Sequence, residues 1–161
     1  MQPADWLECP AVVVMATVAL SAIRSRFAVA VTTITGMTES RNPFEDIIRA
    51  PQSVAQKRFW IGITGAIASD DGRQNTEVGA QMDTTVSVKF AYRLRPKDQV
   101  TDYGGALDQA ELVINKLTAR GAPLSTDLQI RFSQLTTDIT TSGEYIIPTA
   151  EFSVLHYIPL S

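Results

Sequence analysis

Apolar and polar residues alternate along two long stretches of the chain, and between them one stretch repeats at helical spacing. From Thr84 to Arg95, Val86, Val88, Phe90, Tyr92 and Leu94 fall on one side, with Thr85, Ser87, Lys89, Arg93 and Arg95 on the other. From Glu151 to Leu160, Phe152, Val154, Ile158 and Leu160 share a side. Successive side chains of a strand point to opposite faces, so both stretches predict strands of a sheet with one apolar and one polar face. Between them, Asp102–Arg120 places Tyr103, Ala106, Leu107, Ala110, Val113, Ile114 and Leu117 on one stripe, which predicts an amphipathic helix. Thr101 or Asp102 would cap its start, and Gly121 followed by Pro123 would end it.

The rest of the chain fills in around this frame. Lys57–Ile67 predicts a strand with Phe59, Ile61, Ile63 and Ile67 on one side and Trp60 and Thr64 on the other. Gly62 and Gly65 mark a bulge or a close backbone approach in it. Asp127–Leu135 predicts another strand, with Leu128, Ile130 and Phe132 facing one way, and Thr136–Gly143 reads as a polar turn. Glu144–Pro159 reads as a long strand split in two by Pro148, because proline lacks the N–H a ladder needs. Near the start, Ala11–Ile23 is an apolar run too short to cross a bilayer and preceded by Asp5 and Glu8 rather than by basic residues. Pro10 suits a first helical turn, so a buried helix over about 10–27 is expected, with the β-branched Val12, Val13, Val14 and Thr17 working against it. Residues 28–34 fit a helix end or a short strand, and 36–51 a polar connection with a turn at Asn42-Pro43. The expected fold is a single α+β domain over 1–161: one mostly antiparallel (mixed) sheet of about four to five strands with two main helices packed on one face.

Composition bounds the function. An apolar fraction of 45% in 161 residues supports one packed domain. The net charge of −3, with acids and bases interspersed, supplies no basic footprint for gripping nucleic acid. The one cysteine, Cys9, has no second cysteine to pair with inside the chain and no basic neighbour in sequence to activate it. His156 is the one histidine; it stands at an alternate position between Val154 and Ile158, so it is expected in the core or at its rim, held by hydrogen bonds. Asp70-Asp71-Gly72 lacks the register of a calcium loop, Glu77 included, and reads as a solvated turn. Gly104-Gly105 lacks the surroundings of a phosphate loop, and two small residues letting the helix approach the sheet explain it better. No catalytic, cofactor or metal-binding residues are expected. The polar segment 68–83 is too long for an ordinary hairpin loop, which makes Asp70, Asp71, Arg73 and Glu77 candidate assembly contacts. Arg93, Arg95, Lys97 and Asp98 form a charged strand end and turn, either a solvated face or a rim where neighbouring subunits meet. Trp60 and Tyr157 are expected opposite the core face, at an interface or packed under the first helix.

Three stretches together resemble the tail terminator (tail completion, or tail tube terminator) proteins of long-tailed bacteriophages. They are Val86–Arg95 running into Pro96-Lys97-Asp98-Gln99, then Tyr103-Gly104-Gly105-Ala106-Leu107-Asp108-Gln109-Ala110-Glu111, and Gly143-Glu144-Tyr145 with Phe152–Leu160. The resemblance covers roughly 57–161. It implies a small α/β virion protein, made in the bacterial cytoplasm, that forms a six-fold ring at the head-proximal end of the tail tube. Such a ring stops tube polymerisation, offers the neck or connector protein its attachment surface, and lets DNA pass through the lumen without specific binding; no membrane is involved. Two other readings stand beside it: a neck or head-completion adaptor ring, and a small α+β enzyme or ligand-binding domain with His156 at its site.

Overall fold

The computed structural model describes residues 17–41, 56–69, 80–119, 124 and 128–158. Within them the order is α1 (Leu20–Thr32), β1 (Thr38–Glu39), β2 (Arg58–Ala68), β3 (Ala80–Phe90), β4 (Tyr92–Arg93), α2 (Gln99–Thr118), β5 (Gln129–Ile139) and β6 (Tyr145–Ile158). The expected α+β class is the observed one: two helices contact a six-strand mixed, mostly antiparallel sheet, with two of the strands only two residues long. β6 is the central strand. β3 and then β4 pair along one of its sides and β5 along the other, while β2 pairs with β3 and carries the parallel β1 at its start.

Alternation sets the core. Val86 and Val88 of β3, Phe152 and Val154 of β6, and Phe59 and Ile61 of β2 are all buried on one face. α1 closes over β2 with Ile23, Phe27 and Val31, a helical spacing, and Phe27 meets Phe152 edge to face at 5.9 Å between ring centres. α2 lies beside α1 over β6, β5 and β4, burying Ala106, Ala110, Val113 and Leu117. At Gly105 this helix lies close against Tyr92: a Cβ there would lie 2.7 Å from the Tyr92 hydroxyl, so the small-residue reading of Gly104-Gly105 holds at its second glycine. A smaller cluster of Leu94, Ala106 and Ile146 sits at the far end of the sheet.

Several boundaries differ from the sequence reading, each for a physical reason. α1 begins at Leu20 and does not extend back through residues 17–19, because Thr17 bridges Tyr157 in parallel and the Val18 N–H donates to the Tyr157 carbonyl at 2.7 Å, which keeps the chain extended up to the Ala19 cap. The rest of the expected helix, with Cys9 and Pro10, falls outside the described residues, as do Asn42-Pro43, Gly121 and Pro123. Residues 28–32 finish that helix, and β1 lies in what reads as a polar connection. The long loop is shorter than 68–83: Ala68 is still in β2, and residues 80–83 already pair with β6. α2 starts three residues before Asp102, which is therefore inside its first turn rather than a cap; no side chain caps the helix at Asp98. Residues 136–139 belong to β5, and the turn is confined to residues 140–144, where Gly143 takes a φ of +71°.

β6 is not split at Pro148. On that strand's β3 side the ladder stops at Lys89–Thr149 and resumes at Tyr92–Ile146, so no N–H is asked of position 148 there, while the β5 side pairs it with Thr137. Two further bulges change which residues face the core. β2 slips by one between Ile63 and Gly65, so Ile67 pairs with Asp83 on the outer face and is exposed, not grouped with Phe59 and Ile61. β5 slips in the same way between Phe132 and Gln134.

Candidate assembly surface

Both helices pack on one face of the sheet, and among the described residues the opposite face is built from short rows of polar side chains. Trp60 aligns with Lys89 and Thr149, and the Lys89 ammonium lies 5.3 Å from the centre of the Trp60 ring. In the next row Gln134 Nε2 donates to Glu151 Oε2 at 2.6 Å, beside Ser87, whose hydroxyl donates to the Gly62 carbonyl at 3.3 Å. Further along, Ser153 Oγ donates to Asp83 Oδ1 at 2.6 Å. Here the face hollows into a concavity of about 520 Å³ lined by Ile67, Asp83, Gln129, Arg131, Ser153 and Leu155. Trp60 and Tyr157 stand on this outer face, as alternation predicts.

The candidate contact residues from sequence form two groups, and the fold separates them. Asp70, Asp71, Arg73 and Glu77 lie outside the described residues, but the strand ends that carry them are fixed: the Ser69 N–H donates to the Gln81 carbonyl at 3.0 Å. Arg93, Arg95, Lys97 and Asp98 follow the other end of β3. The segments that carry the two groups therefore leave opposite ends of β3, whose eleven residues span about 35 Å at the usual rise per residue.

The second group is built around a buried carboxylate. Asp102 accepts the Arg95 backbone N–H at 2.7 Å, and the Arg95 guanidinium grips both its oxygens, Nη2 to Oδ1 at 2.7 Å and Nε to Oδ2 at 3.0 Å. The fork hydrogen bond holds the Asp102 carboxyl below its ordinary range and raises the Arg95 guanidinium above its own. Asp98 adds a looser contact to Arg95 at 3.6 Å. The Arg95 side chain remains more than half exposed, so the pair stiffens the turn while leaving its charge at the surface; Lys97 is exposed beside it. Sequence reading named Arg95 and missed Asp102 as its partner, although a carboxylate in the first turn of a helix next to an arginine-rich strand end was a visible signal.

His156 is a core residue. It is fully buried; Nδ1 lies 3.1 Å from the Val18 carbonyl and Nε2 lies 2.8 Å from the Thr84 hydroxyl. The carbonyl can only accept, so Nδ1 carries the proton and Nε2 accepts from Thr84. Burial lowers its pKa below the ordinary value. Both nitrogens are thus engaged inside the fold, as the sequence position leads one to expect.

Among the described residues no three His, Cys, Asp or Glu side chains come together as metal ligands, and no helix is long and apolar enough to cross a membrane. The chain matches no protein-family model and no curated protein.

Proposed function

We propose that this chain is a tail terminator subunit: a structural virion protein that assembles into a ring, hexameric by the resemblance, on the head-proximal end of a phage tail tube. The observation that supports it best is that the segments leading to two charged candidate contact regions leave opposite ends of one strand. A subunit that caps a tube needs two unlike ends, one matching the last tube ring and one that offers no fresh tube-binding surface and receives the neck or connector protein instead. A ring of such subunits closes by head-to-tail contacts when the rotation between neighbours permits. The segments that carry the resemblance also form one unit, since residues 86–99 run through β3 and β4 into α2, and β6 pairs with both strands. DNA would pass through such a lumen without specific binding.

Immunogold electron microscopy of purified particles and unjoined tails tests this, with an antibody shown to bind the native chain. Label at the head-proximal end of free tails is the expected result. Label on heads but not on free tails would transfer the protein to the neck or head-completion position, and label on neither would end both virion readings.

A further inference from the structure

β5 is a long edge of the sheet that no strand covers among the described residues, and its sequence is complementary to itself. Among the described residues β5 pairs only with β6. Its eleven residues are almost all exposed, including Phe132 and Ile139, which stand on the helix-bearing face opposite Phe152 and Ile146. A long edge strand with open backbone donors and acceptors is a template for another strand. We propose that the edge of β5 pairs with β5 of a second copy of this chain, antiparallel about a two-fold axis through Leu135, so that two sheets join into one.

Register decides this occupant. Ser133 is already the extra residue of the β5 bulge, since Phe132 pairs with Phe152 and Gln134 with Glu151. With Leu135 opposite Leu135 of the second copy and Ser133 left out on each strand, Gln134 meets Thr136 and Phe132 meets Thr137. Arg131 then meets Asp138, and Ile130 meets Ile139. Every one of these pairs joins residues on the same face: Arg131, Gln134, Thr136 and Asp138 on the outer face, Ile130, Phe132, Leu135, Thr137 and Ile139 on the helix face, as their partners in β6 establish. The two-fold axis makes each pair except Leu135–Leu135 occur twice, which is the condition for a closed, self-complementary interface. It sets two Arg131–Asp138 ion pairs at the ends of the outer face, where opposite charges across strands stabilise pairing. Arg131 and Asp138 are both exposed, and neither has an ion-pair partner among the described residues. On the other face it gathers Ile130, Leu135 and Ile139 from both copies into one apolar strip. Among the described residues the other long free edge of the sheet, residues 60–68 of β2, carries no charged residue, so pairing β5 with it would lose this charge match.

The proposal concerns the free chain and does not rest on the terminator reading. Sedimentation equilibrium of the purified full chain is expected to give a dimer. Arg131→Asp sets Asp against Asp138, and Asp138→Arg sets Arg against Arg131; each should weaken dimerisation at least tenfold while the circular dichroism spectrum stays as in the parent. The double variant R131D/D138R restores opposite charges and should regain the dimer. A monomeric parent overturns the proposal. So does an oligomer of any size indifferent to both single reversals, or a double variant no better than the singles.

Discussion

His156 shows how much one side chain can hold at a place where sequence gives a position but not a partner. Its ring ties β6 to β3 through Thr84 and to the segment before α1 through Val18. Its pKa lies below the ordinary 6.5 in the folded chain, so the unfolded chain binds the extra proton first as pH falls. The stability it contributes is complete above pH 6.5 and declines as pH drops from there toward the lowered value. Urea midpoints measured from pH 8 to pH 5 should fall across that window, and the fall should vanish in His156→Ala. That variant should itself cost about 2–4 kcal/mol at pH 7, from the lost volume and the stranded Thr84 and Val18 groups. Asp102 behaves the same way further into acid: its carboxyl is held below the ordinary value, so its contribution is full above about pH 4 and is lost as pH falls through the lowered value. Asp102→Asn should flatten the acid limb of the same curve. Gln109 makes a contrasting case, since its buried Nε2 has no partner among the described residues. Gln109→Leu should raise stability by about 1 kcal/mol in the same denaturation assay.

Elements were legible in the sequence in proportion to how far local pattern alone fixes them. The stripe Ala106, Ala110, Val113, Leu117 and the alternation Val86, Val88, Phe90 needed no tertiary information, and both elements are where those residues predict. The failures share a cause: a partner across the sheet decided the matter. Thr136, Thr137 and Asp138 look like turn residues, yet they extend β5 because β6 offers them Thr149, Pro148 and Ile147 as partners. Thr38 and Glu39 become β1 because β2 lies alongside. Ile67 changed face because of an inserted residue at Thr64, which no alternation count can register before the pairing is known. The close approach at Gly105 is likewise a prediction at this scale. Gly105→Ala should lose stability despite the better helix former, because the new methyl meets the Tyr92 hydroxyl, and Tyr92→Leu should remove that penalty in a double-mutant cycle.

For the whole molecule, the class of fold followed from alternating strands around one amphipathic helix, whereas the candidate surface was only half legible. The charged turn at Arg93–Asp98 could be named from sequence; that it and residues 70–79 leave opposite ends of one strand could not, because the expected loop boundary ran into β3. Deleting residues 70–79 and joining Ser69 to Ala80 with a short hairpin turn should leave melting close to that of the parent and abolish binding to isolated tail tubes. Tube binding that survives the deletion would remove that end of the sheet from the proposed mechanism.

The gap in pairing where Phe90 and Ala91 run beside Ile147 and Pro148 has a mechanical consequence. Between Lys89–Thr149 and Tyr92–Ile146 no pairing joins β6 to this side of the sheet; β5 spans the gap with continuous pairing along the other side of β6, and Ala91 is held from its far side by Lys57 and Arg58. The main core lies on one side of that line and the Leu94, Ala106 and Ile146 cluster on the other. Fewer ladder bonds cross there than elsewhere in the sheet, so the corner bearing the Arg95–Asp102 turn is where the fold should open first. The amide of Leu94, bonded to the Glu144 carbonyl across that corner, should exchange with deuterium well before those of Val86 and Val88.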